Sequence, residues 1–225
     1  MSAPPQIPRD LYDRVLLAAE GPSVDLGCGQ GSSVDPGSTV SLAEIARGPL
    51  LQIDLRNHPG RGHPSALRVR ASFDAPLPLG NHAFSLVVCN HVAEHVASPT
   101  LLLSEIARVL DPAGMAILAI PNGRSFSDRA FRLWYWLHHR PSDDDYDPHR
   151  QVFTQESFEE LLRANGLAVL HTARIGESYS WLRKHPRVRS IATRLTRRLS
   201  CVAPERSSYG WHYIVERITE ADKTG

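Results

Sequence analysis

The chain has 225 residues, 42% hydrophobic and 22% charged, which fits one globular domain with a full core and excludes a disordered or fibrous chain. With 25 basic and 24 acidic residues the formal charge is +1, so net charge does not point to nucleic acid. Cys28, Cys89 and Cys201 are far apart, which excludes a disulfide framework and a zinc-finger spacing.

Few cysteines make a reduced, cytoplasmic setting the expectation. The N-terminal stretch carries no apolar signal core, and no run approaches the roughly 18 apolar residues of a membrane span.

In chain order, residues 8–20 place Leu11, Val15, Leu16 and Ala19 on one side at helical spacing, and Gly21-Pro22 ends that helix. Ser23–Leu26 reads as a short strand that runs into Gly27-Cys28-Gly29-Gln30-Gly31. Residues 41–47 read as a helix capped by Ser41 with Glu44 in the capping-box position. Further strands are expected at 50–54, 67–71 and 84–90, the last a continuous apolar run suited to burial on both faces. An amphipathic helix at 100–110 ends at Asp111-Pro112-Ala113-Gly114, and a strand at 115–120 follows. Residues 123–150 break the rhythm with aromatics and an acidic turn. A helix at 154–165 and strands at 167–172 and 211–218 complete the chain. Alternating strands and helices predict an α/β fold, Rossmann-like and doubly wound.

The glycine turn after the first strand lets the backbone bend sharply and lets a ligand approach it closely. A nicotinamide fingerprint needs G-x-G-x-x-G opening straight into a helix, and Gly31-Ser32-Ser33-Val34 does not supply it. Asp25, just before the turn, suits an amine-bearing ligand better than a pyrophosphate. Asp54 ends the second strand, where ligands of doubly wound sheets sit, and can accept two hydrogen bonds from a ribose diol.

These features, with QIDL at 52–55, DAPLPLGNHAFSLVVCNHVAEHV at 74–96, LLLSEIARVLDPAGMAILAIPN at 101–122 and HRQVFTQESFEELLRANGL at 149–167, resemble the class I S-adenosylmethionine-dependent methyltransferases, in their small-molecule branch. The resemblance spans roughly residues 20–175. It implies a mainly parallel, seven-stranded sheet with helices on both faces. It also implies one domain over 1–225: a cofactor core at about 20–122, a lid or acceptor segment at about 123–150, and C-terminal strands with a basic helix at about 151–218.

By position, it implies that Asp25, Leu26, Gly27, Cys28 and Gly29 surround the methionine part of S-adenosylmethionine, with Gly31 completing the turn. Asp54 and Leu55 would hold the ribose. Phe73 and Asp74 would face the adenine. Asn90 and His91 would line the methionine end and the acceptor mouth. The pair Glu94-His95 is common in the family and is assigned a structural role. Ser72 stands where many relatives have an acid for the adenine amino group, with Asp74 as its substitute. Ser85 stands where an Asp often follows the Phe of the fourth strand.

A hydroxyl acceptor loses a proton, and histidine is the usual base near neutral pH. His91 and His149 are the candidate catalytic residues. No metal is expected: Asp143-Asp144-Asp145 are consecutive and cannot all point inward, so they read as a solvated turn. Cys28 fills a glycine turn and has no nucleophile's partners. The aromatic group Phe131, Trp134, Tyr135 and Trp136 reads as a lid or as an ordinary packed helix. Residues 183–198 carry seven basic side chains, with Val188, Ile191, Leu195 and Leu199 at helical spacing. That pattern reads as a solvated surface helix or as one contacting anionic membrane or phosphate. A small-molecule acceptor methylated at oxygen is expected, phosphorylated or lipid-linked if the basic helix is functional, and no nucleic acid. Two other readings stay open: a nucleic-acid methyltransferase, for which no N/D-P-P-Y/F tetrapeptide follows the fourth strand, and a non-catalytic cofactor-binding regulator.

Overall fold

The computed structural model describes residues 7–29, 34, 40–55, 66–126, 129–130, 133, 137, 149–176, 186–199 and 204–218. Gly31, the aromatics Phe131, Trp134, Tyr135 and Trp136, the acidic turn Asp143–Asp145, Arg183 and Lys184 lie outside them.

Helix α1 (Arg9–Ala18) leads into β1 (Ser23–Leu26), the short helix α2 (Leu42–Ile45), β2 (Leu50–Asp54), β3 (Leu67–Arg70) and β4 (Phe84–Asn90). Then come α3 (Pro99–Val109), β5 (Leu110–Pro121), α4 (Gln155–Ala164), β6 (Leu167–Gly176), α5 (Pro186–Leu199), a 3₁₀ turn (Pro204–Ser207) and β7 (Ser208–Arg217). The seven strands form one sheet in the order β3-β2-β1-β4-β5-β7-β6. The first five pair in parallel; β7 runs antiparallel to β5 and to β6. Strand order reverses between β1 and β4, which opens a crevice at their carboxyl ends.

The period of two along β4 shows why helices cover both faces. Val87 and Cys89 face α3 and α4, packing with Leu102, Leu103, Ile106, Phe158 and Leu162. Leu86 and Val88 face α1 and α2, packing with Leu11, Val15, Leu42 and Ile45.

Caps fix the helix starts. Ser98 Oγ accepts from Leu101 N–H at 3.3 Å and Pro99 opens α3. Thr154 Oγ1 accepts from Ser157 N–H at 3.2 Å, while Thr154 N–H donates to Ser157 Oγ at 2.9 Å. Ser85 Oγ donates to the carbonyls of Ala18 and Pro22 at 2.8 and 3.0 Å, so it ties β4 to the end of α1.

Asp111-Pro112-Ala113-Gly114, expected as a turn, is a bulge within β5: pairing runs Phe84 with Leu110, then shifts to Leu86 with Met115. Strands β6 and β7 are each longer than their sequence signal because they pair with each other over most of their length. Within the inserted segment, the described residues Phe126, Arg129, Ala130, Leu133 and Leu137 are helical.

Candidate active site

Three strands deliver the cofactor end of the site. After β1, Gly27 and Gly29 take positive φ angles of 72° and 43°, a conformation costly for residues with a Cβ. A Cβ at Gly27 would collide with Val92 Cγ2, whereas one at Gly29 would meet nothing closer than 3.9 Å. The turn thus packs inward on the segment after β4 and leaves its outer rim open. Gly27 N–H donates to Ile53 O at 2.8 Å, and Gly29 N–H donates to Asp54 Oδ2 at 2.8 Å. The carboxylate expected to hold a ribose therefore also braces the glycine turn.

Asp25 is 1% exposed and sits in register with Gln52 on β2, which in turn is level with Arg68 on β3. Neighbours in register share a face, so these three form a polar row beneath the turn. Arg68 also donates to Cys28 Sγ at 3.6 Å. Burial pushes the Cys28 thiol up, against the pull of Arg68, which leaves it protonated and unsuited to attack as a thiolate. Arg68 escaped sequence reading, because nothing local marks it; only the register of β3 places it under Cys28.

Leu55 is exposed and Phe73 is buried in the core. Asp74 is exposed; its Oδ1 accepts Ala97 N–H at 2.7 Å and its N–H donates to Ser72 Oγ at 3.2 Å. The loop carrying Phe73 and Asp74 is pinned by Glu105 and Arg108 of α3. Glu105 accepts Leu77 N–H at 2.6 Å, and Arg108 grips Glu105 through two bonds of 2.7 Å.

At the carboxyl end of β4, His91 takes a φ of 57°, a strained position for a non-glycine residue and one found at functional sites. Its N–H donates to Ala119 O at 2.8 Å. Its Nδ1 lies 3.2 Å from Glu94 Oε1, and its ring lies 5.9 Å from that of Tyr209 on β7. Glu94 is 1% exposed. His95 Nε2 is 3.9 Å from Glu94 Oε1, and the His95 and His149 rings meet edge to face at 5.0 Å. His91 and His149, 58 positions apart in the chain, thus share one cluster with Glu94 and His95. A small cleft nearby is lined by Asn122, Arg124, Gln155, Glu156, Arg174 and Trp211. Trp211 Nε1 is buried there with no hydrogen-bond partner among the described residues.

The residues fit S-adenosylmethionine: an open glycine rim at the carboxyl end of β1, a carboxylate at the end of β2, and an apolar Phe73 beyond it. No base-flanking tetrapeptide follows β4.

No curated protein matches the sequence. A methyltransferase domain model matches residues 5–172. Among solved structures, a chain of the complex between the Haloferax volcanii Trm112 methyltransferase activator and a methyltransferase is 16% identical, with 93% of this chain and 92% of that one covered at a TM-score of 0.61. An S-adenosylmethionine-dependent methyltransferase from Mesorhizobium loti is 18% identical over 90% of this chain and 95% of its own, with a TM-score of 0.58. Haemonchus contortus phosphoethanolamine N-methyltransferase 2, in complex with S-adenosyl-L-methionine, is 12% identical over 94% of this chain and 53% of its own, with a TM-score of 0.56. The strand order, the glycine turn and the domain match together make this chain a member of the class I S-adenosylmethionine-dependent methyltransferases.

Proposed function

We propose that the enzyme methylates a hydroxyl of a small acceptor that enters over the carboxyl ends of β4 and β5. The observation that carries this reading is the His91–Glu94 pair. With Glu94 as the acceptor, the His91 tautomer that fits the pair donates from Nδ1 and presents Nε2 to the acceptor. When bound, the cofactor supplies an activated methyl on a sulfonium, whose C–S electron pair leaves with sulfur. His91 Nε2 takes the hydroxyl proton as the new C–O bond forms, and Glu94 stabilises the imidazolium. His149 faces the same mouth and orients the acceptor.

Asp25, Leu26, Gly27, Cys28, Gly29 and Gly31 hold the methionine part on this reading, Asp54 and Leu55 the ribose, Phe73 and Asp74 the adenine side, and Asn90 the methionine end. Orientation and water exclusion supply the rest of the rate.

With labelled cofactor and a screen of phosphorylated and plain alcohols, His91→Ala is expected to lower kcat about a hundredfold. His149→Ala is expected to raise KM more than it lowers kcat. Unchanged turnover in both variants would leave positioning by the backbone as the source of catalysis. Absence of transfer to every acceptor, with cofactor binding intact, would favour a regulatory protein of this fold.

Arg124 and Arg174 line the small cleft together with Glu156, whose carboxylate offsets part of their charge, so the cleft by itself does not select an acceptor bearing phosphate. Helix α5 supports a lipid-linked one. Val188, Ile191 and Leu195 are 53%, 53% and 55% exposed, beside exposed Arg187, Arg194 and Arg198. An apolar stripe flanked by guanidinium groups suits an anionic membrane surface at about 1 kcal/mol per basic residue. No helix among the described residues is long and apolar enough to cross a membrane; the contact proposed is peripheral. Vesicles rich in phosphatidylserine should carry the protein upward in flotation at low salt and release it at high salt. A protein that stays at the bottom at low salt would end the membrane reading.

A further inference from the structure

The cluster at the acceptor mouth has the chemistry of a metal site. Glu94, His95 and His149 each turn a ligand atom toward the others, all within 4.8 Å. They come from two segments that the backbone locks together. Arg150 and Gln151 N–H groups both donate to Glu94 O, at 2.8 and 3.0 Å, which fixes His149 against the turn after β4.

The carboxylate is divided between two tasks. Glu94 Oε1 accepts from His91 Nδ1, while Oε2 is buried with no hydrogen-bond partner among the described residues. A buried carboxylate oxygen is costly unless a donor or a cation compensates it. Here the groups around it are imidazoles, which are themselves good metal ligands. Carboxylates that ligate metals are themselves held by hydrogen bonds, as Glu94 Oε1 is by His91 Nδ1.

The geometry points to a divalent transition-metal site formed by Glu94 Oε2 and one ring nitrogen each of His95 and His149, with Glu94 Oε1 held by His91 Nδ1. Two imidazoles and one carboxylate with remaining positions open are the ligand set of catalytic zinc centres. The N/O donor set suits zinc and cobalt and disfavours the all-oxygen preference of magnesium and calcium. Donors about 2.0–2.2 Å from a tetrahedral zinc lie about 3.4 Å from each other, so binding needs the ligand atoms, now within 4.8 Å, to close by up to about 1.4 Å. The remaining position faces the acceptor mouth. There the ion would hold the acceptor hydroxyl and make its proton easier to lose. This role rests on the proposed entry of the acceptor at this edge, but binding of the ion does not.

The test is calorimetric titration of the chelator-stripped full-length protein with zinc, together with visible spectroscopy of the cobalt form. The expected result is one zinc per chain at micromolar Kd or tighter, and the ligand-field bands of four- or five-coordinate cobalt. His149→Ala and His95→Ala should each weaken zinc at least a hundredfold, and His91→Ala about tenfold. S-adenosylhomocysteine affinity, measured in the same preparations, reports that each variant is folded. Failure of wild type to bind zinc, or full affinity in His149→Ala with cofactor binding intact, would make the cluster a hydrogen-bonded structural triad. Zinc binding without transfer to any hydroxyl acceptor would overturn the proposed acceptor chemistry and leave the metal site standing.

Discussion

Asp54→Ala is expected to weaken S-adenosylmethionine binding by about 2 kcal/mol or more, some thirtyfold in Kd. Hydrogen bonds to a charged partner are worth roughly 1.5–3 kcal/mol each, and a ribose diol makes two. The structure adds a second reason. Asp54 Oδ2 receives the Gly29 N–H at 2.8 Å, so removing the carboxylate also unties the glycine turn. Asp54→Asn separates the two effects. It can turn its carbonyl oxygen to Gly29 but loses the charge facing the ribose. Calorimetry should therefore place it between wild type and Asp54→Ala. Wild-type affinity in Asp54→Ala would remove this residue from the cofactor site.

The second large effect is on stability. Arg108→Ala is expected to cost about 3 kcal/mol, the lower end of the range for breaking a buried ion pair, because Arg108 keeps partial contact with solvent. Its guanidinium makes two bonds of 2.7 Å to Glu105 and reaches Leu79 O at 2.7 Å, Asn81 Oδ1 at 2.8 Å and Leu77 O at 3.1 Å. Without it, the Glu105 carboxylate stays buried with only Leu77 N–H to hold it. For a chain of this size the loss corresponds to a fall in Tm of about 6–12 °C.

The same pair sets an acid limb. The Arg108 guanidinium, helped by the Leu77 amide, holds the Glu105 carboxyl below the usual glutamate range. A group depressed in the folded state contributes stability above its unfolded pKa and loses it as pH falls through the folded value. Wild type should therefore lose stability on acidification below the ordinary glutamate range, and Glu105→Gln should lose less over the same interval. Melting temperatures of wild type and Arg108→Ala within about 1 °C of each other would refute the pair's importance.

What could be read beforehand follows from how local each signal is. β1, β2 and β4 announce themselves because each is a short apolar run bounded by glycine or polar turns, and the structure places them at 23–26, 50–54 and 84–90. The glycine turn and Asp54 are legible for the same reason: both sit at strand ends, where spacing alone gives position. β5 was legible only in its second half, since Pro112 and Gly114 speak for a turn and only the partner strand β4 shows the pairing that continues past them. The late strands β6 and β7 are legible at 167–172 and 211–218, but their extensions to Gly176 and back to Ser208 come from pairing with each other, which no local pattern records.

Arg68 and the Glu94–His95–His149 cluster were invisible as groups. The register of three strands creates the first, and two backbone hydrogen bonds between distant segments create the second. Ordinary metal spacing on one helix or one turn would have revealed that cluster; here its third donor returns more than fifty residues later.

Those two backbone bonds have a counterpart. At the other end of the inserted segment, Gly123 N–H donates to Phe153 O at 3.0 Å, and a Cβ on Gly123 would collide with Val152. The chain thus departs at Gly123 and re-enters at Arg150 through two stapled points that lie against the same short stretch, 150–153. Once exit and entry are fastened, the length between them is nearly free to change: each doubling of a flexible loop adds only about 0.6 kcal/mol of closure entropy. The sheet can then keep its cofactor machinery while descendants of this gene trade one intervening stretch for another. In evolutionary terms, ends fastened in this way would let the segment diverge without renegotiating the core.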